Sequence, residues 1–251
     1  MTKNVWITGA SSGIGKALAI KFASEGWQVA ASARRENLLQ ELNKDNPKIH
    51  SFPLDVTDGS LCKKVFNNIV EKFQIIDICV FCTGIHDPQS EKKISEEKIR
   101  EIMEVNFFGT LNCIMAVNIY FREKQSGHIS IVSSVAGYRG FPAASGYCAS
   151  KAALTSLAES LYFDFKRYNV RVSLISPGFI KTPMTDKNKF PMPMIKSAEY
   201  AAEKMFVGLT KQNVFEIHFP KTLTMIMKLL KIIPNWLFFL IVGRGIKKIK
   251  L

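Results

Sequence analysis

Tyr147 and Lys151 are a pair of side chains whose types and spacing suit proton transfer. Positions i and i+4 share a helix face, so the Lys151 ammonium group would lie about one turn from the phenol. A nearby ammonium stabilises phenolate, so Tyr147 could exchange a proton with a substrate oxygen near neutral pH, although a free tyrosine has a pKa of about 10. The spacing alone also fits an interfacial tyrosine beside a solvated lysine.

A glycine-rich segment near the N-terminus is suited to holding a phosphate. The run Thr8-Gly9-Ala10-Ser11-Ser12-Gly13-Ile14-Gly15 follows the first apolar stretch and precedes a predicted helix from about Lys16 to Ser24. Glycines allow a tight turn and a close approach to the backbone, while a helix N-terminus offers unpaired N–H donors and partial positive charge. The segment therefore predicts a dinucleotide-phosphate site, with plain packing of strand against helix as the alternative.

The residues after the second predicted strand bear on which dinucleotide the loop would hold. Sheets that bind NAD place Asp or Glu there, on the adenosine ribose hydroxyls. This chain has Ala33, followed by Arg34 and Arg35, whose guanidinium groups could hold a 2′-phosphate. The sequence favours NADP(H), unless both arginines are merely solvated. Asp55 could accept from the adenine amino group, and Asp58 fits a helix N-cap.

The combination of motifs is more specific than any one of them. Thr8–Gly15, Asn106, Ser134, Tyr147, Lys151 and Pro177-Gly178 with Thr182 resemble the short-chain dehydrogenase/reductase family, classical type, over roughly residues 3–210. The resemblance implies an NADP(H)-dependent oxidoreductase that interconverts a carbonyl and an alcohol. It implies a catalytic set of Asn106, Ser134, Tyr147 and Lys151. The expected cofactor site comprises Gly9, Ser11, Ser12, Gly13, Ile14, Gly15, Arg34, Arg35, Asp55, Gly84, Asn106, Tyr147, Lys151, Pro177, Gly178 and Thr182.

The resemblance also assigns a role to each catalytic residue. Tyr147 would be the general acid in reduction and the base in oxidation, and Lys151 would lower its pKa and hold the nicotinamide ribose. Ser134 would polarise the substrate oxygen, a role given to it over Ser133 by family spacing alone. Ser133 is expected to complete the strand. Asn106 would anchor a water in the proton relay, the alternative being an amide that bonds to local backbone.

One departure from the family pattern follows the fourth strand. The family usually has Asn-Asn-Ala-Gly there, whereas this chain has Phe81-Cys82-Thr83-Gly84. Cys82 cannot reproduce the hydrogen bonds of an amide, so we expect altered bracing of the central sheet. Gly84 is present, so a close approach of the cofactor is still expected.

Seven apolar or β-branched runs predict the strands that position these residues: Val5–Thr8, Gln28–Ala33, Ile49–Pro53, Ile76–Cys82, His128–Ser133, Val170–Ile175 and Val214–His218. Helical patterns separate them. Several runs are apolar throughout, as in strands covered on both faces. We expect an α/β fold, a single Rossmann-like doubly wound domain with a seven-stranded parallel sheet over residues 1–218. Its ligands would bind at the carboxyl ends of the strands.

Residues 219–251 have a different character. The net charge is +13, and this segment contributes +7 because it holds seven Lys or Arg and no acidic residue, which leaves +6 for the rest. Its apolar stretches on either side of Pro234 are too short for a spanning helix. We expect a basic amphipathic extension that contacts a membrane surface peripherally, with a core or subunit-interface helix as the alternative.

Methionines and aromatics between Phe179 and Ile195 indicate a loop that covers the substrate, and they favour a lipophilic carbonyl or alcohol unless they only pack against the fold. Five cysteines without framework spacing and no secretory pattern favour the cytoplasm. Cys79 and Cys82 point to opposite strand faces, so no metal is expected. We also expect a homo-oligomer, dimer or tetramer, and no nucleic-acid partner.

Other functions fit the sequence less well. A catalytically silent nicotinamide-binding regulator on the same fold is the alternative, but such a sensor would be expected to lack Tyr147 or Lys151. An epimerase or dehydratase of the wider family would have a differently spaced glycine loop. A nucleic-acid binder would show basic and aromatic residues interleaved outside the tail.

Overall fold

The apolar runs form seven strands in the computed structural model, which describes residues 2–88, 93–188 and 190–249. The strands are β1 Asn4–Thr8, β2 Gln28–Ser32, β3 Ile49–Ser51, β4 Ile78–Phe81, β5 Gly127–Val132, β6 Val170–Pro177 and β7 Glu216–Phe219. They form one sheet in the order β3-β2-β1-β4-β5-β6-β7, and every neighbouring pair is parallel. The predicted seven-stranded Rossmann-like sheet is confirmed.

Nine helices are described along these residues: α1 Gly13–Ser24, α2 Glu36–Asp45, α3 Gly59–Phe73, α4 Glu96–Met103, α5 Gly109–Lys124, α6 Ser145–Lys166, α7 Ala198–Lys211, α8 Lys221–Ile232 and α9 Asn235–Ile249. One face of the sheet is covered by α1, α2 and α7, and the other by α3, α5 and α6. Each helix between two strands returns the chain to the same end of the sheet, as parallel pairing requires.

The alternation of side chains along the strands explains why both faces of the sheet are dry. In β1, Val5 and Ile7 contribute to one apolar layer, whereas Trp6 contributes to the other. All three are fully buried. Parallel strands covered on both sides are mostly apolar, and polar side chains such as Ser130 and Ser173 are buried there with a hydrogen bond between them. In β4 and the residue after it, Cys79 and Cys82 pack into opposite layers, as their spacing predicted.

The strand order creates one crevice at the carboxyl end of the sheet. β1 lies between β2 and β4, so the chain leaves β1 on one side and later returns on the other. In open sheets this reversal leaves a gap between the first crossover helices, and ligands bind there. The loops after β1, β4, β5 and β6 therefore lie close together although they are far apart in sequence.

Some boundaries differ from the prediction. α1 begins at Gly13 rather than near Lys16, because Ser12 is still extended and the next residue already has helical hydrogen bonding. β5 ends at Val132, so Ser133 lies beyond the strand that it was expected to complete. β6 continues to Pro177. The Asp58 side chain accepts from the backbone N–H groups of Ser60 and Leu61, so it is the predicted N-cap of α3.

Helices α4 and α5 are joined by a π-helical turn, Glu104–Phe108, into one helical stretch from Glu96 to Lys124. By length and composition alone this stretch could cross a membrane, and it is the one such stretch among the described residues. Its side chains Val117 and Phe121 are fully buried in the layer beneath the sheet. These contacts make it a core helix of the fold.

The last two helices pack against the sheet domain instead of leaving it. β7 includes Phe219, one residue past the boundary predicted at 218, and α8 follows almost directly. Leu223 and Met227 of α8 form a small apolar cluster with Val135 and Tyr138. Of the basic residues predicted in this tail, Lys250 lies outside the described residues. Lys189 of the predicted covering loop lies outside them as well.

Candidate active site

A cleft of about 410 Å³ opens at the carboxyl end of the sheet. It brings together nearly all the residues that the sequence singled out. Those that line it are Gly9, Ser11, Ser12, Gly13, Ile14, Gly15, Arg34, Arg35, Asp55, Gly84, Ser134, Tyr147, Lys151, Pro177, Gly178 and Thr182. Asn106 is the exception, because it is fully buried beneath the cleft. The volume of the cleft is in the range typical of ligand sites.

The turn after β1 requires glycine at several positions. Gly9 and Gly13 have φ angles of +70° and +55°, in the left-handed region that other residues avoid. A Cβ on Gly15 would lie 2.3 Å from the carbonyl oxygen of Gly9. The loop and the α1 N-terminus therefore line the cleft with no side chain at these three positions, so a pyrophosphate could approach the backbone N–H groups there.

Thr8 braces the sheet at the point where the family pattern is altered. Its Oγ1 accepts from the backbone N–H groups of Cys82, at 3.1 Å, and Thr83, at 3.4 Å. The threonine thus joins the ends of β1 and β4 without an amide at position 82. Cys82 packs against the apolar layer, and burial raises the pKa of its thiol to about 11, so it is a neutral packing residue.

The two arginines after β2 lie in different places. The Arg35 guanidinium group donates to Ser11 Oγ at 2.8 Å and to Ser12 Oγ at 2.7 Å, which places it directly above the glycine loop. Arg34 turns towards Asp55, with 4.0 Å between the charged atoms and both side chains well exposed. Asp55 itself accepts from the Thr57 backbone. Arg35 is therefore the better-placed cation for a phosphate next to the loop.

Tyr147 and Lys151 lie one turn apart near the start of α6. The Lys151 Nζ lies 5.7 Å from the centre of the Tyr147 ring. Tyr147 is half-buried and lines the cleft, and the ring of His86 stacks on it with 4.4 Å between centroids. The phenol ring therefore stacks on an imidazole, has an ammonium group nearby and lines the cleft.

Lys151 is almost completely buried, with 4% of its surface exposed. Its Nζ donates to the carbonyl oxygen of Val132, at the end of β5, at 2.9 Å. Burial disfavours the charged form and lowers the pKa of this ammonium to about 8. A Cβ on Gly84 would lie 3.5 Å from the Nζ atom. The amine therefore lies directly beneath the glycine at the end of the altered motif.

The two serines after β5 have separate tasks. Ser133 is buried, and its Oγ donates to the carbonyl oxygen of Lys151 at 2.8 Å, so it anchors α6 to the sheet. Ser134 is half-buried and lines the cleft, and its Oγ accepts from Ala136 N at 3.1 Å. A hydroxyl oxygen that accepts this bond still has its own hydrogen to donate. Both serines line the cleft, and the substrate-facing role of Ser134 stays a prediction.

Asn106 lies in the π-helical turn, a distortion that is frequent at functional sites. Its Oδ1 accepts from Ile85 N at 2.7 Å, and its Nδ2 donates to Ile85 O and to Ser150 Oγ, both at 3.0 Å. The Ser150 hydroxyl in turn donates to the Tyr147 carbonyl oxygen. These bonds give Asn106 a bracing role. The water-anchoring role implied by the resemblance stays a prediction.

Three contributors were not assigned these roles from the sequence. From the sequence, Thr8 is only part of the glycine motif. His86, two residues after Gly84, is only a candidate for the border of the substrate mouth, and Ser150 has no assigned role. Their contacts join residues 74, 61 and 44 positions apart in the pairs Thr8–Cys82, His86–Tyr147 and Asn106–Ser150. A β1–β4 pairing was predictable, and it places the Thr8 hydroxyl beside residue 82. The other two contacts depend on where the π-helical turn places Asn106.

The sheet order, the glycine turn and the paired Tyr147 and Lys151 define the class of a dinucleotide-dependent oxidoreductase. Residues 3–193 match the short chain dehydrogenase family, and the chain belongs to that family. It is 34% identical to an uncharacterised oxidoreductase of Myxococcus xanthus over 236 residues, covering 92% of this chain and 93% of the relative.

Two further proteins are informative. A 3-oxoacyl-[acyl-carrier-protein] reductase FabG of Thermotoga maritima is 36% identical over 185 residues, which is 72% of this chain and 75% of the relative. The solved structure of ElxO with NADP bound superposes with a TM-score of 0.77 at 25% identity, covering 87% of this chain and 98% of ElxO. The chain is thus an oxidoreductase with a Rossmann-like fold.

The buried Lys151 predicts a pH-dependent stability. Its pKa is about 8 in the folded protein and about 10.5 in the unfolded chain, so the unfolded chain binds the proton more tightly. The buried charge therefore lowers the free energy of unfolding by its full amount below pH 8, and this loss of stability disappears as the pH rises towards 10.5. Replacing Lys151 by Met should therefore raise the free energy of unfolding relative to the parent, by on the order of 1–3 kcal/mol near pH 7.

The comparison is made by urea unfolding of both proteins across this pH range, without cofactor. The advantage of Lys151→Met should shrink steadily between pH 8 and pH 10.5. A Lys166→Met variant, at the exposed end of the same helix, serves as the matched control and should show no such trend. An advantage independent of pH would contradict the lowered pKa.

Proposed function

We propose that the protein is an NADP(H)-dependent short-chain dehydrogenase/reductase that interconverts a lipophilic carbonyl compound and its alcohol. The single observation that carries this proposal is the common cleft. Ser134, Tyr147 and Lys151 line the same cavity as the glycine turn after β1. A regulator without catalytic activity would need only the glycine turn. The comparisons with known oxidoreductases do not favour this alternative.

The residues of the cleft fit a nicotinamide dinucleotide. The glycine turn and the α1 N-terminus would hold the pyrophosphate, Asp55 would accept from the adenine, and Gly84 and Gly178 would allow a close approach. Pro177 and Thr182 also line the cleft and would contact the nicotinamide end. When bound, the cofactor supplies or accepts the hydride.

The protein side chains then move and stabilise the proton and the charge. In reduction, the Tyr147 hydroxyl would donate its proton to the substrate oxygen, and in oxidation the phenolate would take that proton back. The Ser134 hydroxyl would donate a hydrogen bond to the same oxygen and stabilise negative charge that develops there. Lys151, held by Val132, would stabilise the phenolate and contact the ribose. His86 and the bonds of Asn106 and Ser150 hold the phenol in place.

A preference for NADP(H) over NAD(H) is supported by the residues above the glycine turn. Ala33 offers no carboxylate for a ribose hydroxyl, and Arg35 lies within hydrogen-bond distance of two serine hydroxyls on the turn. A 2′-phosphate next to these groups would accept charge-assisted bonds from the guanidinium group and from the hydroxyls. ElxO, solved with NADP, has the same fold.

A lipophilic substrate is supported by the residues around the mouth. Met184 lines the cleft, and Phe190 packs edge-on against Phe179, 6.1 Å between ring centres. Flexible methionine and aromatic side chains suit adaptable apolar surfaces. The Thermotoga maritima relative is named as a reductase of 3-oxoacyl groups on a carrier protein, which are carbonyl compounds with an apolar chain.

Substituting Tyr147 by Phe should remove turnover while cofactor binding stays intact. The ring, its stack with His86 and its contact with Lys151 remain, and only the proton donor is lost. We expect kcat to fall by about 100-fold or more, the usual contribution of general acid–base catalysis. Absorbance of NADPH follows turnover on a panel of ketones graded by chain length, and calorimetry follows binding. Tyr162→Phe on the same helix is the control; unchanged turnover in Tyr147→Phe would refute the role.

Substituting Arg35 by Ala should weaken NADPH binding selectively. Loss of charged hydrogen bonds to a phosphate should raise the Kd for NADPH by about 10- to 100-fold. The Kd for NADH should change little because NADH has no 2′-phosphate. Arg34→Ala is the matched variant, and we expect a smaller effect because that side chain turns towards Asp55. Equal loss of NADH and NADPH affinity in Arg35→Ala would mean that Arg35 only shapes the loop.

We also propose that the chain self-associates through the outer faces of α5 and α6. Met115 and Ile119 on α5, and Phe163 on α6, are 52%, 65% and 73% exposed. A second copy could bury them in a symmetric contact. Phe163→Glu and Ile119→Glu should shift the protein to smaller species in sedimentation velocity. A parent protein that sediments as a monomer at micromolar concentration would contradict the contact.

A further inference from the structure

The last two helices carry an exposed apolar surface, here called the tail face. It comprises Met225, Ile226, Leu229, Ile232, Trp236, Phe239, Leu240 and Ile241, which are 44–77% exposed. On each helix the members recur at helical spacing, three or four residues apart, with near neighbours between them. Scattered apolar residues on a surface need no explanation, but eight within 17 residues form a continuous interaction surface.

The opposite side of these helices is attached firmly to the sheet domain. Arg139 donates to the carbonyl oxygens of Leu230 and Ile233 and to Asn235 Oδ1, and its guanidinium group lies 4.6 Å from the centre of the Phe238 ring. One arginine thereby holds the end of α8, the link and the start of α9. The tail face is consequently displayed in a fixed orientation.

A buried polar cluster adds a second attachment. The Glu216 carboxylate accepts from Tyr138 and from Ser176, at 2.7 Å for the latter, and pairs with the Lys228 ammonium. These groups come from β7, β6, the turn after Ser134 and α8. The Lys228 charge is therefore used inside the protein.

The charge around the tail face identifies that partner. Residues 219–251 hold seven Lys or Arg and no Asp or Glu. Lys221, Lys231 and Arg244 are exposed. A symmetric contact between two copies of this surface would bring cations against cations. An anionic surface with an apolar interior matches both properties at once.

The helices are too short to cross a membrane. α9 has 15 residues, and a helix of that length extends about 22 Å, short of the roughly 30 Å hydrocarbon core. Its attachment through Phe238, which is 3% exposed, also keeps one side against the protein. The geometry fits a helix pair that lies in the membrane interface with its tail face inserted and its cations near the headgroups.

Helix α8 contacts the wall of the cleft through its buried side, opposite the tail face. Leu223 of α8 packs against Gly178, where a Cβ would lie 2.6 Å from it, and against Val135, the residue after Ser134. Gly178 and Ser134 both line the cleft. We propose that α8 and α9 dock the protein on an anionic bilayer through the tail face, with the mouth of the cleft next to the lipid. The second part of the proposal is that a lipophilic substrate then reaches the cleft from the bilayer. This part rests on the proposed function.

Trp236 provides an intrinsic probe for the first part. The chain has three tryptophans, of which Trp6 and Trp27 are 0% and 7% exposed and Trp236 is 68% exposed. Vesicles of phosphatidylcholine with phosphatidylserine should shift the fluorescence emission to the blue and carry the protein to the top of a flotation gradient. Pure phosphatidylcholine vesicles should bind much less, and high salt should weaken binding to the anionic vesicles.

Phe239→Glu should lower the vesicle-bound fraction by about 10-fold or more, since it places a carboxylate where the ring would insert. Ile75→Glu is the matched control, a change to the same carboxylate at an exposed apolar side chain just before β4, at the opposite end of the sheet, and it should float like the parent. Circular dichroism and melting temperature check that both variants are folded. Docking is refuted if the parent does not float with anionic vesicles, or if both variants float equally.

Two further outcomes separate the alternatives. If Phe239→Glu leaves flotation unchanged but abolishes self-association, the tail face is an interface between copies and the proposal is wrong. If the protein floats but never oxidises or reduces any carbonyl or alcohol in the panel, docking holds while the proposed function fails. If it does turn over, Phe239→Glu should lower kcat/KM for a vesicle-embedded long-chain ketone and leave that for a soluble short ketone unchanged. If Phe239→Glu changed kcat/KM by the same factor for both ketones, access from the bilayer would be refuted.

Discussion

The buried ammonium group of Lys151 is the constraint around which the cleft is arranged. Burial alone disfavours the charge, and it lowers the pKa to about 8. The carbonyl oxygen of Val132 accepts a hydrogen bond from the amine, so the end of β5 determines where the amine lies. A charged group that destabilises the fold is compatible with a stable protein only if the surrounding strands are well packed, and the two dry layers of the sheet meet that requirement.

The rest of the cleft follows from the need to reach this amine. Gly84 lies above it, and a Cβ there would be in van der Waals contact with Nζ, at 3.5 Å, and with the Asn106 amide oxygen, at 3.4 Å. Gly137 approaches the Lys151 carbonyl oxygen so closely that a Cβ would lie 2.8 Å away. Ser133 bonds to the same oxygen. The start of α6 is therefore held by the turns after β4 and β5, which explains why a helix with exposed outer residues keeps a rigid inner end.

Much of this arrangement was predictable from local patterns. The seven runs predicted the strands, because strands covered on both faces are mostly apolar. The glycine spacing predicted the turn, and spacing along α6 predicted that Tyr147 and Lys151 share a face. Local patterns could not rank Arg34 against Arg35, since both follow the strand. Their difference arises from the direction in which β2 delivers each side chain, one towards Asp55 and one towards Ser11.

The bracing of the cleft was beyond local reasoning for a related reason. The loss of an amide at Cys82 suggested altered bracing of the sheet, and Thr8 is the residue that bonds to the backbone there. The replacement becomes visible only when β1 and β4 are paired in register, with Thr8 opposite Phe81. Asn106 similarly bonds to Ile85 and Ser150 because the π-helical turn rotates it inward. Such contacts depend on tertiary geometry that no window of sequence contains.

In the tail, both helices pack partly on the domain, and contact with a membrane stays a proposal. Apolar residues at helical spacing fitted both a core helix and a surface helix, and α8 and α9 have residues of both kinds. Leu223 and Phe238 are buried on the domain, while Leu229 and Phe239 are exposed. Because Leu223 lies against Gly178, the position of α8 and the position of the strand end that lines the cleft are mechanically coupled. Whatever binds the tail face therefore acts on a helix that touches the wall of the active site.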